Sequence, residues 1–157
     1  MSDYMEPEAA VRRYADTVYR LAYARTGSRE DAEDVFQEVF LRYVRKKPTF
    51  QDEEHRKAWL IRVTVNCAKS LRGSFWNRRT EGLNENLVFD SVRDYDLYYE
   101  LMRLKPQERE VIHLFYYEDM KISEISRALG ISQSAVKLRL FRGKEKLRTI
   151  LDKENEL

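Results

Sequence analysis

The sequence predicts an all-α fold made of two small helical domains. Apolar residues recur at helical spacing through most of the chain, as Val18, Leu21 and Ala22 illustrate. Only 5 Gly and 3 Pro occur among 157 residues, which argues against a loop-rich β-sandwich. The period disappears over residues 73–94, where Gly, Asn and charged residues alternate with isolated apolar ones, as in a flexible linker. We therefore expect domains at residues 1–72 and 95–157.

Three helices are predicted in the first domain, over residues 8–25, 31–45 and 57–72. Gly27 ends the first helix, and Ser28 followed by Asp31 indicates an N-terminal cap for the second. Pro48 ends the second helix, and a polar loop carrying Phe50 leads to the third. The middle of the third alternates β-branched residues like a strand, but its length favours a helix.

The second domain is predicted to end in a helix-turn-helix over residues 121–151. Helices over residues 95–104 and from Pro106 to Tyr117 precede it. Ser123 is expected to cap the first helix of the motif, Gly130 to occupy the turn, and Ser132 to cap the second helix. Such a second helix is typical of proteins that read the DNA major groove.

Cations dominate the outer face of that second helix, and only Glu145 opposes them. The cations are Lys137, Arg139, Arg142, Lys144, Lys146 and Arg148. The whole chain has a net charge of only +2, so positive charge is concentrated here. A phosphate-binding face is the functional interpretation, and a solvated amphipathic helix is the alternative.

Two further faces in the first domain suggest binding. The second helix presents a polar, acidic face with one leucine, made of Asp34, Gln37, Glu38, Leu41 and Arg45. It indicates a docking surface anchored by Leu41, or else ordinary solvated surface. The third helix is expected to bury Leu60, Val63, Cys67 and Leu71.

That arrangement would place Trp59, Arg62, Asn66 and Lys69 on the outer face of the third helix. An aromatic ring, two cations and an amide can stack on bases, hold phosphates and bond a base edge. Phe50 could form the wall of a pocket for an unstacked base. Trp59 could equally be a core residue, and Phe50 could fold back on its own domain.

Nothing in the sequence indicates catalysis or a cofactor. The single cysteine, Cys67, excludes an internal disulfide, and His55 and His113 are isolated in sequence. Glu110 and His113 lie one helical turn apart, but such a pair is usually a surface contact. No Gly-rich phosphate loop, signal peptide or membrane-spanning run is present, so we expect a cytoplasmic protein that is not an enzyme.

The chain resembles the extracytoplasmic-function (ECF) group of bacterial sigma factors, in the sigma-70 family, from about Tyr14 to Leu151. YADTVYRLAYARTGSREDAEDVFQEVFLRYV and RKAWLIRVTVNCAKSLR resemble sigma domain 2. LKPQEREVIHLFYYEDMKISEISRALGISQSAVKLRLFRGKEKLR resembles sigma domain 4. The motif AEDVFQEVFL, joined to RKAWLIRV and then to the helix-turn-helix, is strongly specific for this group.

The resemblance implies three sets of site residues. Docking on the clamp helices of the RNA polymerase β′ subunit is implied for Asp34, Gln37, Glu38 and Leu41. Capture of flipped bases of the promoter −10 element is implied for Phe50, Trp59, Arg62, Asn66 and Lys69. Recognition of the −35 element is implied for Ser134, Lys137, Leu138, Phe141 and Arg142. Leu138 departs from the small polar residue that is often found there, and it offers a methyl contact in place of a hydrogen bond.

The implied function is promoter-specific initiation of transcription by core RNA polymerase, without a small-molecule substrate. The implied partners are the β′ clamp helices, the β flap, promoter DNA and an anti-sigma factor that could hold the protein at the membrane. The alternative is a helix-turn-helix regulator that acts without docking on polymerase. That alternative requires a ligand, phosphoacceptor or dimerisation element before the helix-turn-helix, and the sequence shows none.

Overall fold

A computed structural model describes residues 4–71 and 100–155 of the chain. The chain divides into two compact units, Met1–Glu85 and Asn86–Leu157. The described residues of both units are helical and include no strand, which confirms the all-α prediction. The expected linker over residues 73–94 lies outside the described residues. So do residues 95–99 of the helix predicted over residues 95–104, and the described end of that helix stops at Leu101.

The described part of the first unit, residues 4–71, is built from three helices, each packed against the other two: α1 (Pro7–Thr26), α2 (Arg29–Lys46) and α3 (Glu53–Leu71). Their core includes Leu21, Val39 and Leu60, all fully buried. Between α1 and α2, Gly27 adopts φ 72°, and Ser28 Oγ accepts a hydrogen bond from Asp31 N at 3.2 Å. Both the turn and the predicted cap are therefore confirmed.

Helix α3 begins at Glu53, four residues before the predicted start. Asp52 explains the difference, because its carboxylate accepts a hydrogen bond from His55 N at 2.9 Å and also contacts His55 Nδ1 at 2.7 Å. An aspartate in this position caps the helix, and its carboxylate interacts favourably with the partial positive charge of the helix N-terminus. The predicted polar loop is correspondingly shorter.

The second unit contains α4 (Pro106–Ile112), a π-helix (His113–Tyr117), α5 (Ile122–Leu129) and α6 (Gln133–Asn155). Gly130 has φ 70° in the turn of the helix-turn-helix, and Ser132 Oγ accepts a hydrogen bond from Ala135 N at 3.0 Å. These two predictions are confirmed. The predicted cap at Ser123 is wrong, because Glu124 Oε1 accepts from Lys121 N at 2.8 Å and α5 begins one residue before Ser123.

Helices α4 and α6 approach each other closely at Gly143. A Cβ added to Gly143 would fall well inside van der Waals contact of Ile112 Cδ1, and 3.3 Å from Ile112 Cγ1. Ile112 is itself 97% buried, with 3% of its surface exposed, so it has little room to move. Glycine is therefore tolerated within α6, where it otherwise weakens a helix, because of this crossing.

We predict that Gly143→Ala destabilises the second unit. Alanine adds about 1 kcal/mol of helix propensity, but overpacking a buried contact costs about 1–3 kcal/mol. We expect the free energy of unfolding to fall by about 1 kcal/mol, as measured by chemical denaturation followed by circular dichroism. Glu145→Ala is the control, because its ion pair with Arg148 is exposed and contributes little. A Gly143→Ala variant more stable than the native chain would contradict the close crossing.

A second prediction concerns the cap of α3. The backbone hydrogen bond from His55, followed by its side-chain bond, holds the pKa of Asp52 below its usual value. A lowered pKa means that the stabilisation is complete above the ordinary pKa of about 3.9 and is lost as pH falls through the folded-state value. We expect Asp52→Ala to be less stable than the native chain at neutral pH, and this difference to shrink in acid.

Asp52→Asn is the matched control, because asparagine caps a helix without titrating. The stability difference between the Asn and Ala variants should be nearly independent of pH in denaturation experiments. A native-to-Ala difference that stays constant through the acid range would contradict the ionised cap.

Candidate nucleic-acid interface and docking face

Helix α6 exposes all five side chains for which −35 recognition was expected. Ser134, Lys137 and Arg142 are exposed, and Leu138 and Phe141 expose 47% and 63% of their surface. Val136 and Leu140 on the opposite side are buried and fix which face of α6 points outward. A phenylalanine this exposed is unusual for a residue of its size. The face therefore combines cations with apolar groups that can contact thymine methyls.

Helix α6 has fewer unpaired outer cations than the sequence suggested. Two of its six predicted outer cations form ion pairs with buried carboxylates of the same unit. Lys146 Nζ lies 2.9 Å from Oε1 of the buried Glu108 on α4. Arg139 NH1 lies 3.8 Å from Oε1 of Glu110, a fully buried carboxylate on the same helix. These pairs offset the cost of burying two acidic side chains and tie α6 to α4.

Helix α3 presents a polar outer face in the first unit. Arg62, Asn66 and Lys69 are exposed at spacings of four and three residues, so they share one side of the helix. Leu60 and Cys67 are buried as predicted, whereas Val63 is only half-buried. The buried side is broader than predicted and also contains Ile61, Thr64, Val65 and Ala68.

Trp59 and Phe50 form an aromatic pair near the start of α3. Both are half-buried, with ring centroids 6.0 Å apart and planes inclined by 58°. Trp59 also packs edge-on against the buried Tyr43 of α2, at 6.0 Å. Trp59 is thus half-buried and packs against the core through Tyr43, and base stacking on its accessible part stays a prediction.

A buried cation lies beneath this pair, and the sequence reading missed it. Arg56 is 2% exposed, its guanidinium sits over the Phe50 ring at 5.2 Å from the centroid, and NH1 donates to Glu53 Oε1. Glu53 also accepts a hydrogen bond from Tyr14 on α1, at 2.5 Å. Arg56 carries no apolar signal, so only the cap at Asp52 could have placed it on the helix.

The expected docking face of α2 is exposed but less acidic than its sequence. Leu41 is 51% exposed, Gln37 is exposed, and Asp34 and Glu38 are half-buried. Glu38 accepts hydrogen bonds from Arg42 at 2.9 Å and Arg45 at 3.1 Å. The bond from Arg42 is the main reason that the pKa of Glu38 lies below its usual value.

Val44, which the sequence reading missed, is 45% exposed one turn beyond Leu41. The i, i+3 spacing from Leu41 was the available signal. The two side chains form a small apolar patch among charges, as at the centre of a protein–protein interface.

Groups with catalytic potential are placed unfavourably. Cys67 is buried, and burial raises the pKa of its thiol, which keeps it protonated. Glu110 and His113 are both buried, so the expectation of a surface contact is wrong: π-helix and α4 pack them against the core. Within residues 4–71 and 100–155, no three His, Cys, Asp or Glu side chains cluster as metal ligands would. None of the helices in those ranges is both long and apolar enough to cross a membrane.

Family comparisons match both units. Residues 10–76 match the family model for sigma-70 region 2, and residues 96–147 match the one for sigma-70 region 4. The structure of CnrH in complex with the cytosolic domain of CnrY is similar, with a TM-score of 0.68 and 25% identity. That similarity covers 93% of this chain and 87% of the other.

Curated relatives agree in sequence. The ECF RNA polymerase sigma factor SigE of Mycolicibacterium smegmatis is 33% identical over 92% of this chain, which spans 61% of that relative's length. The RNA polymerase sigma-E factor of Streptomyces coelicolor is 30% identical over 94% of this chain and 87% of its own. The chain matches both sigma-70 regions and is similar to these relatives over more than nine-tenths of its length. It therefore belongs to the sigma-70 family of RNA polymerase sigma factors, in its ECF group.

Proposed function

We propose that this chain binds core RNA polymerase and directs it to promoters carrying −10 and −35 elements. The observation that carries the proposal is the match of one chain to both sigma-70 regions, and each matched region exposes the helix face to which we assign its role. The proposed division is residues 1–72 for polymerase docking and −10 recognition, 73–94 as linker, and 95–157 for −35 recognition. Its site of action would be the cytoplasm, where polymerase and DNA meet.

Recognition of the −35 element is assigned to α6. Lys137 and Arg142 would hold phosphates and fix the register, while Leu138 and Phe141 would contact bases. Ser134, in the first turn of α6, would lie at the end of the helix that enters the groove. Because Leu138 cannot hydrogen-bond, preference at its position would come from methyl contact and shape.

Promoter opening is assigned to α3 and the loop before it. The exposed Arg62, Asn66 and Lys69 would hold the backbone and a base edge, and the Phe50–Trp59 pair would receive an unstacked base. Unstacking costs a few kcal/mol, and stacking on an aromatic ring returns roughly 1–3 kcal/mol per base. Capture of several bases would therefore open the duplex without nucleotide hydrolysis, and the chain would act as an initiation factor without enzymatic activity of its own.

Docking on the clamp helices of the β′ subunit is assigned to α2, and contact with the β flap to the second unit. Leu41 and Val44 would supply the apolar centre, with Asp34, Gln37 and Glu38 around it. Glu38 would have to exchange its bonds to Arg42 and Arg45 for a cation on the partner. An anti-sigma factor covering these faces would keep the protein inactive. The similar protein CnrH is likewise bound by another protein, the cytosolic domain of CnrY.

A regulator that acts without polymerase is the alternative. Its helix-turn-helix would need only the second unit, and it would leave the region 2 match and the exposed α2 patch without a purpose. The region 2 match therefore favours the sigma factor.

We predict that Leu41→Ala weakens binding to core RNA polymerase. Removing most of a leucine from the centre of an interface costs roughly 1–2 kcal/mol, so affinity should fall about tenfold. Val44→Ala should act in the same direction, as measured by fluorescence anisotropy of the labelled chain titrated with core polymerase. The control is Arg12→Ala, which alters an exposed side chain on α1, outside the assigned docking face. Equal affinities for the native chain and the Leu41 variant would contradict the assigned docking face.

Arg142→Ala and Phe141→Ala should separate phosphate contacts from base contacts in −35 recognition. Loss of a phosphate contact lowers affinity for all duplexes and reduces the salt slope by about 1. Phe141→Ala should instead reduce the difference in binding affinity between cognate and mutated −35 sequences. Both are measured by filter binding of the polymerase complex to promoter fragments that it selects from genomic DNA.

Arg12→Ala is the control for charge, because Arg12 is an exposed cation on α1. If Arg142→Ala changes neither affinity nor salt slope, the phosphate contact assigned to Arg142 is wrong.

A further inference from the structure

We propose that Arg56 is a positioning residue, which presents Phe50 to an unpaired promoter base by stacking against the inner face of the Phe50 ring. The inference rests on the proposed function and gives a role to Arg56, the first residue of RKAWLIRV, to which neither the resemblance nor the exposed faces assigned one. Arg56 would not touch the base itself. Its action would pass through Phe50.

The guanidinium of Arg56 is held by burial and by its pairing with Glu53. Arg56 is one of the largest fully buried side chains among the described residues, and burial of a cation is costly unless it is paired. Its NH1 donates to Glu53 Oε1, in the same first turns of α3. The other carboxylate oxygen, Glu53 Oε2, accepts a hydrogen bond from Tyr14 OH at 2.5 Å and lies 3.9 Å from Arg13 Nε.

The opposite side of this network reaches α2. Burial raises the pKa of Tyr43, and a hydrogen bond from the Arg56 side chain opposes that rise. The Tyr43 hydroxyl donates to Met5 O at 2.6 Å, which adds the segment before α1. Arg56 therefore sits at the point where α1, α2 and α3 are tied together, and its position is determined from several sides.

The Phe50 ring packs on Arg56, whereas its neighbours in sequence are exposed and point to no packing partner for it. It lies in the short segment between α2 and α3, flanked by the exposed Thr49 and Gln51. Arg56 covers one face of its ring at 5.2 Å, and Trp59 lies beside it at 6.0 Å. One face of the ring is thus occupied by a planar cation, so a base could stack only on the other.

A lysine at position 56 would keep the charge but lose the planar surface and most of the hydrogen bonds. Phe50 would then occupy several orientations, and base capture would carry an additional ordering cost. A purely structural role for Arg56 predicts something different, namely lower stability with no specific coupling to Phe50.

The first experiment tests the packing itself, without nucleic acid. In a Trp76→Phe background, Trp59 is the remaining tryptophan, and acrylamide quenching reports its accessibility. Arg56→Lys should increase the quenching of Trp59, and Phe50→Ala should do the same. The helical content measured by circular dichroism should stay unchanged in both variants. Arg12→Lys on the surface of α1 is the matched control and should leave quenching unaltered. Unchanged quenching in Arg56→Lys overturns the proposal.

The second experiment measures base capture by the complex of the full chain with core polymerase from the same organism. The probe is a pool of single-stranded DNA oligonucleotides of random sequence. Phe50→Ala and Arg56→Lys should each weaken retention of the pool about five- to tenfold, because aromatic stacking on a base is lost or disordered. The double variant should bind no worse than Phe50→Ala alone.

Three outcomes decide the matter. Additive losses in the double variant overturn the proposal, because Arg56 would then act independently of Phe50. Should Arg56→Lys prove poorly folded, Glu53→Gln replaces it, since it keeps the bond from Tyr14 but weakens the hold on Arg56, and the same non-additivity is expected. A native complex that retains no single strands would defeat the proposed −10 function and this inference together. Failure of Arg56→Lys alone to change retention would defeat only the inference.

Discussion

A buried stripe along each long helix determines which side chains remain at the surface, and both units depend on this constraint. In α6, Val136 and Leu140 fix the inner side, so the residues around Phe141 face outward. In α3, Leu60, Ile61 and Cys67 have the same effect for Arg62, Asn66 and Lys69. The candidate functional faces therefore lie on rigid helices, and only Phe50 lies in a connecting segment.

Charged residues divide between fold and function in a way that composition does not reveal. Lys146 and Arg139 belong to the basic face of α6 in sequence, yet their partners are buried carboxylates of α4. The cations that remain exposed, including Lys137 and Arg142, are those best placed for phosphates. The same division holds on α2, where Glu38 is already bonded to two arginines. Docking there would depend on apolar contact more than on net charge.

Most of the fold could be predicted from sequence because apolar periodicity and turn residues carry it directly. The two glycine turns, at Gly27 and Gly130, require positive φ and were located correctly. The early start of α3 was missed because the polar residues before position 57 were interpreted as a loop, although Asp52 among them caps the helix. Arg56 could not be found by periodicity, since periodicity follows apolar residues and Arg56 is a charged residue that is buried with a paired charge on Glu53. Val44 was missed because its i, i+3 spacing from Leu41 was the one available signal, and basic residues follow it directly in the sequence.

The most direct test is transcription in vitro from fragmented genomic DNA, with core RNA polymerase in the presence and absence of this protein. New transcripts that share two conserved upstream sequence elements at a nearly constant spacing are the predicted result. The account would be contradicted if the protein bound core polymerase in the same preparation but produced no new start sites. Binding to DNA fragments without any binding to polymerase would instead identify a helix-turn-helix regulator.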